Sequence, residues 1–346
     1  MTGPAVWADE VEGYLATLAR GDRTGALGRV RALRDRGHDV RTLIHRLLAP
    51  AQLRVGELWL TDEWSVAQEH AATAISEAVL TTLAVEREAA DPPMHAGPPV
   101  VVACVEQEWH ALPALMVAEQ LRAEGVPVSY LGANSSAQGL VRHVHEVGPR
   151  AVLLSCSLGA FLPLVRRQVE AVRETGTPVV VGGAAFDAYG RRAEVVGATA
   201  FARSAADAAD VVRALPVAVP GAEPLTHPGA EEAFVVFGDR EALADATEGL
   251  VLHALAHESG AYPSLGGRTW LRVLDDQLPH LVGSTAGALV TDDPRVVLDA
   301  LAWADTVLGH RDAPPDTPGA LRSALAEALR DLPVASRMLA GTPEPV

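Results

Sequence analysis

Apolar residues along the first ninety positions recur at helical spacing. Val11, Leu15, Leu18 and Ala19 form one stripe, and Leu27, Val30 and Leu33 another, with Gly21 and Gly37 punctuating the turns between them. Two longer apolar stretches follow, 40–60 and 66–90, with little strand character. The pattern predicts a bundle of four or five helices over residues 1–90. The Pro- and Gly-rich segment 90–99 breaks it and reads as a linker.

From residue 99 the period changes. Short apolar runs near 99–105, 126–131, 150–155, 178–182 and 199–202 alternate with helical patterns near 111–124, 136–147, 160–175, 187–196 and 205–214. The runs are apolar on both faces, as a parallel sheet covered by helices requires. Residues 98–215 are therefore expected to form a flavodoxin-like α/β domain. A second Pro-rich linker spans 216–231. Residues 230–346 return to helices, near 241–258, 268–281, 294–309 and 318–340, with one short strand possible at 233–237. The expected class is α/β plus all-α.

Composition narrows the function. The chain has 346 residues, 49% of them hydrophobic, enough for two or three well-filled domains. The formal charge is −16 with only 28 Lys and Arg, which argues against direct nucleic-acid binding. Cys104 and Cys156 fall in or at the ends of strands and read as buried thiols of a reducing compartment. No apolar run reaches ~18 residues, and the N-terminus is acidic rather than a basic-apolar leader, so a soluble cytoplasmic protein without a membrane partner is expected.

The candidate chemistry sits just past the strands. Glu108-Trp109-His110-Ala111-Leu112-Pro113 follows the first strand, at the sheet edge where such folds bind ligands. Gly132 ends the second strand, Ser155 and Ser157 the third, and Gly182-Gly183 the fourth. Taken singly, a His after a strand is most often a surface or capping residue, and a Gly pair a turn. Taken together they resemble the cobalamin-binding Rossmann-like domain, whose signature is Asp-x-His-x-x-Gly, then Ser-x-Leu, then Gly-Gly. Glu108 stands for the Asp and Pro113 for the Gly, departures that fit the photoreceptor branch better than the methyltransferase branch.

The resemblance implies that His110 ligates cobalt. A neutral imidazole is a good axial donor, and Glu108 would fix its other nitrogen. Gly132, Ser155, Ser157, Gly182 and Gly183 would line the slot for the nucleotide tail, the glycines admitting close approach.

In the helical bundle, Trp59 is followed after nine residues by Glu69-His70. Each alone reads as a core aromatic and an exposed helical pair. The spacing is similar to that of the CarH-type adenosylcobalamin-dependent photoreceptors, in which the Trp packs on the adenosyl group with the Glu and His beside it. DNA-binding members carry a His next to this Trp that takes the upper cobalt position after light. Leu60 stands there in this chain, so the light-state adduct either does not form or uses another residue such as His70.

The domain order resembles that of the photocobilins, which bind biliverdin beside cobalamin in a helical, globin- or phycobiliprotein-like domain. That implies a bilin pocket among His257, Tyr262, Arg268, Trp270 and Trp303, noncovalent because no Cys lies in this region. His253 and His257 share a helix face and suit a metal or haem equally, and a plain dimerisation module fits the same residues. The expected function is a sensor rather than an enzyme, with no catalytic residues: adenosylcobalamin loses its adenosyl group in light, and a bilin modulates the response. Output would pass to a separate protein effector, and a homodimer is expected. The alternatives are a corrinoid methyl-transfer shuttle and a cobalamin-binding transcriptional antirepressor.

Overall fold

Helix ends in the first third are set by short acidic caps. Asp22 and Asp39 accept hydrogen bonds from the backbone N–H groups of Gly25 and Thr42. The computed structural model describes residues 4–90, 97–259 and 269–340. Residues 91–96 of the expected first linker lie outside it.

Helices α1 (Pro4–Ala19), α2 (Arg23–Asp35), α3 (Val40–Leu43), α4 (Ala49–Leu60) and α5 (Val66–Ala90) make the bundle. A π-helical turn, Ile44–Leu48, joins α3 to α4 just before Pro50, whose nitrogen cannot donate. The apolar stretch from Val40 to Leu60 thus winds continuously. Tyr14, Leu33, Leu43, Leu47, Leu48 and Leu80 fill its core.

The second unit is a parallel sheet of β1 (Val100–Cys104), β2 (Val128–Gly132), β3 (Ala151–Ser155), β4 (Val179–Gly182) and β5 (Ala200–Phe201), ordered β2-β1-β3-β4-β5. Between the strands lie α6 (Ala111–Ala123), α7 (Ala137–Val147), a 3-10 turn (Gly159–Phe161), α8 (Leu162–Arg173), α9 (Arg191–Val195) and α10 (Ala205–Ala214). Side chains alternate across β1. Val101 and Ala103 pack with Leu140 of α7 and Val165 of α8, while Val100, Val102 and Cys104 pack with Ala114 and Ala118 of α6 and Val212 of α10. This is a Rossmann-like fold whose strand order reverses between β1 and β3, the crevice where doubly wound sheets bind ligands.

The remaining helices are α11 (Gly229–Gly238), α12 (Arg240–Ser259), α13 (Thr269–Thr291), α14 (Arg295–Gly309), α15 (Thr317–Ala328) and α16 (Pro333–Ala340). Three expectations are corrected. Residues 233–237 are helical, not a strand: Ala233, Val236 and Phe237 are buried while Phe234 and Val235 face outward, a helical spacing. The helix expected to stop at residue 281 runs to Thr291, through Pro279. The single helix expected over 318–340 is two, because Pro333 opens a new one.

The C-terminal helices share one continuous apolar core with the α7/α8 face of the sheet. Every residue from Leu281 to Thr291 is buried. A Cβ on Gly287 would stand 2.2 Å from the carbonyl oxygen of Gly159, and one on Gly283 2.9 Å from Cβ of Ala160. The Pro-rich segment before α11 is strapped to the sheet domain as well, its Pro216, Pro220 and Glu223 carbonyls accepting from Arg150, Arg173 and Arg166. Among the described residues no helix is long and apolar enough to cross a membrane.

Candidate cofactor-binding site

β1 delivers the chain to the sheet edge, and the loop after it closes on itself. The Glu108 N–H donates to the Val105 carbonyl at 3.1 Å. Gln107 adopts a left-handed backbone, φ +66°, held from three directions. Its N–H donates to Asn134 Oδ1 at 2.9 Å, its side-chain oxygen accepts from Arg240 at 3.0 Å, and the Asn134 N–H donates to the Glu108 carbonyl at 2.9 Å.

Glu108 is fully buried. Oε1 accepts from the His110 N–H at 3.1 Å and from His110 Nδ1. Oε2 accepts from the N–H groups of Ser157 at 2.7 Å and Leu158 at 3.2 Å. One carboxylate therefore ties the β1 loop to the β3 loop across the crevice. Burial alone would raise its pKa, but the bonds from His110 and Ser157 bring it below the usual range. His110 shifts upward, chiefly through its bond to Glu108, against burial and with a smaller contribution from the charge of Glu69.

His110 is the N-terminal cap residue of α6 but makes no side-chain capping bond. Its side chain is 56% exposed, and with Nδ1 committed to Glu108, Nε2 is the nitrogen open to a ligand. The neighbouring thiols do not compete. Burial, then the Glu108 charge, pushes Cys104 up to about 12 and Cys156 well above its ordinary value, so both stay protonated.

The other expected residues are placed as follows. Gly132 ends β2 with φ +79° and open space where a Cβ would be. Ser155 and Ser157 are half-buried at the β3 end. Gly182 and Gly183 need their missing side chains for a reason the sequence did not reveal. A Cβ on Gly183, at φ +110°, would meet the Cys156 carbonyl oxygen at 2.2 Å, and one on Gly182 the Ala202 carbonyl oxygen at 2.8 Å. The chain's own backbone makes the close approach there.

In the bundle, Glu69 lies near enough to His110 to act on its charge, 2.8 Å from the Thr73 hydroxyl and 3.5 Å from Nε2 of the exposed His70. Trp59 is half-buried, its ring stacked on Trp303 with centroids 5.4 Å apart. Trp303, expected to line a bilin slot, lies against the bundle through this stack. Trp270 is 2% exposed within the shared core. Tyr262, Arg268 and the side chain of His257 lie outside the described residues.

Several partners escaped sequence reasoning. The Ser157 and Leu158 amides, Asn134 and Arg240 act through contacts distant in sequence, which spacing does not reveal. His280 of α13, packed edge-on against Phe161 at 5.9 Å, also lies within electrostatic reach of His110, and its pKa is lowered mainly by burial.

Fold and site together define a histidine-bearing ligand crevice in a Rossmann-like sheet, next to a helical bundle. Residues 98–213 match the B12 binding domain family, and residues 10–84 match a second family also described as B12 binding domain. The chain is 35% identical over 148 residues to the HTH-type transcriptional repressor CarH of Myxococcus xanthus, a match covering 40% of this chain and 46% of that protein. It thus spans about half the length of that curated relative. Among solved structures, the monomethylamine corrinoid protein of Methanosarcina barkeri aligns with TM-score 0.49 and 20% identity, over 59% of this chain and 97% of its own. A cobalamin-binding protein of Desulfitobacterium hafniense DCB-2 aligns with TM-score 0.32 and 24% identity, over 59% and 97% respectively. The two domain matches support cobalamin binding, and the chain is similar to CarH over the matched residues.

Proposed function

We propose that this chain is a light sensor rather than an enzyme, binding adenosylcobalamin between the bundle and the sheet, with a bilin in its C-terminal helices as a second chromophore. One observation carries the cobalamin part. The Glu108–His110 pair and the Trp59, Glu69, His70 set fall in two separately matched B12 binding regions, and the helix that follows His110 packs Leu112 and Met116 into the bundle core.

The residues present fit the cofactor. His110 offers Nε2, and Gly132 leaves open space at the sheet edge. Adenosylcobalamin, when bound, supplies a light-labile cobalt–carbon bond. The protein's part is positional. The Glu108 carboxylate holds a hydrogen on Nδ1, which keeps the Nε2 lone pair available and raises its basicity. The Ser157 and Leu158 amides anchor that carboxylate. Trp59 presents the aromatic surface that an adenine can stack on and a methyl group cannot. Leu112 and Met116 of α6, the helix that His110 caps, are buried in the bundle core, so motion of the bundle is felt at the ligand loop.

The bilin part is supported by the resemblance in domain order and by aromatic and basic residues in the C-terminal helices. With no Cys after Cys156, that pigment is held noncovalently. The signal passes to a separate protein partner in the cytoplasm, with the chain acting as a homodimer.

Free adenosylcobalamin is itself photolysed, so the test must read the protein. Hydrodynamic radius and association state are measured for the adenosylcobalamin complex in the dark and after green light. A light-dependent change in either supports a sensor. Tight binding with identical dark and lit proteins argues against it.

A further inference from the structure

The bundle residue expected to face the cofactor's upper group is not held by the bundle alone. Trp59 lies in the last turn of α4, where carbonyl groups run out of helical partners. The Asp62 N–H donates to the Trp59 carbonyl at 3.1 Å, and Arg311, just past α14, adds further donors. Its Nη2 donates to the Trp59 carbonyl at 2.8 Å and its Nη1 to the Leu60 carbonyl at 3.2 Å. Nη1 also donates to Val307 at 3.0 Å, and Nε lies 3.5 Å from a carboxylate oxygen of Asp62. The same guanidinium sits over the Trp59 indole at 5.1 Å from the ring centroid. The side chain of Arg311 is 3% exposed, so this cation–π contact is desolvated and strong for its kind. Trp303 of α14 then stacks on the same indole at an interplanar angle of 23°. Backbone and ring of Trp59 are thus both gripped by residues more than 240 positions later.

We propose that Arg311 and Trp303 are positioning residues for Trp59, and that through it the C-terminal helices determine which upper-face group of cobalamin the protein accepts. An indole on a helix end, without these contacts, has other rotamers open to it. Held by a cation and a second indole, it keeps one orientation. The inference rests on the reading that Trp59 faces the upper group of the cofactor.

The test compares affinities of the full-length chain for adenosyl-, methyl- and hydroxocobalamin in the dark. The variants are Trp59→Ala, Trp303→Ala, Trp303→Phe and the double variant Trp59→Ala/Trp303→Ala. Trp303 is 38% exposed, so its truncation opens no deep cavity, and Arg311→Lys gives a second, milder perturbation. The adenosyl-to-methyl affinity ratio is expected to fall about three- to tenfold in Trp303→Ala, the contribution of an aromatic pair. Trp303→Phe should restore most of it. The double variant should be no worse than Trp59→Ala, with hydroxocobalamin affinity unchanged in Trp303→Ala and Trp303→Phe. If all three affinities fall together, Trp303 merely supports the fold and the proposal is overturned. If Trp59→Ala lowers the ratio but Trp303→Ala and Arg311→Lys do not, the proposal fails while the cobalamin reading stands. If Trp59→Ala itself leaves the ratio unchanged, the placement of Trp59 fails, and the proposal with it.

Discussion

Glu108 does more than orient an imidazole. Both of its oxygens are committed, one to His110 and one to the β3 loop. Glu108→Ala would leave the half-buried amides of Ser157 and Leu158 without this acceptor, at a cost of about 1–3 kcal/mol in chemical denaturation. Glu108→Gln keeps the size but places an N–H against other donors. It should weaken cobalamin binding by about 10- to 100-fold with a smaller loss of stability, the range seen for partners of ligating histidines. Binding titrations beside urea unfolding separate the two effects. The Glu108–His110 pairing was legible in the sequence because the residues are two apart beside a strand end. The amide anchors were not, since they lie 49 and 50 positions away and carry no side-chain signature. The Gly pair was legible as a place of close approach, but not what approaches. Gly183→Ala should destabilise by about 2–4 kcal/mol, combining a left-handed backbone with a clash on the Cys156 carbonyl. A variant as stable as the wild type would show that the β3 and β4 ends are looser than described.

The helices show where pattern reading works and where it stops. α7 and α8 carry one apolar face each and were readable to within a few residues. α13 was not. Its second half, Gly283-Ser284-Thr285-Ala286-Gly287-Ala288, has the composition of a turn and follows Pro279, so it reads as a stop. In the fold it is a helix buried on all sides, where amphipathic periodicity vanishes. Small residues are needed because the Gly159–Phe161 turn lies directly against it. Gly287→Val should force α13 off that turn, costing about 1–3 kcal/mol or more. Because the turn follows the β3 loop that anchors Glu108, cobalamin affinity should fall with it. Loss of stability with unchanged affinity would show that α13 does not support the site.

At the scale of the whole molecule, the sequence pattern suggested three separable units joined by linkers. The structure instead places the C-terminal helices and one face of the sheet in a single apolar core, with Arg240 on the ligand loop and Arg311 on the bundle. Composition and periodicity register which residues are apolar, not which element they meet, so this fusion was invisible. It also rules out the simplest dissection, since truncation near residue 215 would uncover Phe161 and Leu164. The bilin proposal is therefore tested on the full chain. Biliverdin should develop a structured red band on binding and leave as free pigment on denaturation, since no Cys lies in residues 230–346. Uptake of haem instead would turn attention to His253 and His257, and uptake of neither would leave the helices as a docking or dimerisation module. If both chromophores bind, each should shift the other's affinity reciprocally.

The central claim is that His110 holds the cofactor's cobalt. The most direct measurement is the ultraviolet-visible spectrum of adenosylcobalamin bound to the wild-type chain and to His110→Ala. The wild type should show the spectrum of cobalamin whose own base is displaced by a protein histidine. The variant should lose that spectrum together with most of its affinity, since Cys104 and Cys156 are buried, protonated thiols that cannot substitute. A His110→Ala protein that keeps the wild-type spectrum and affinity would contradict the assignment.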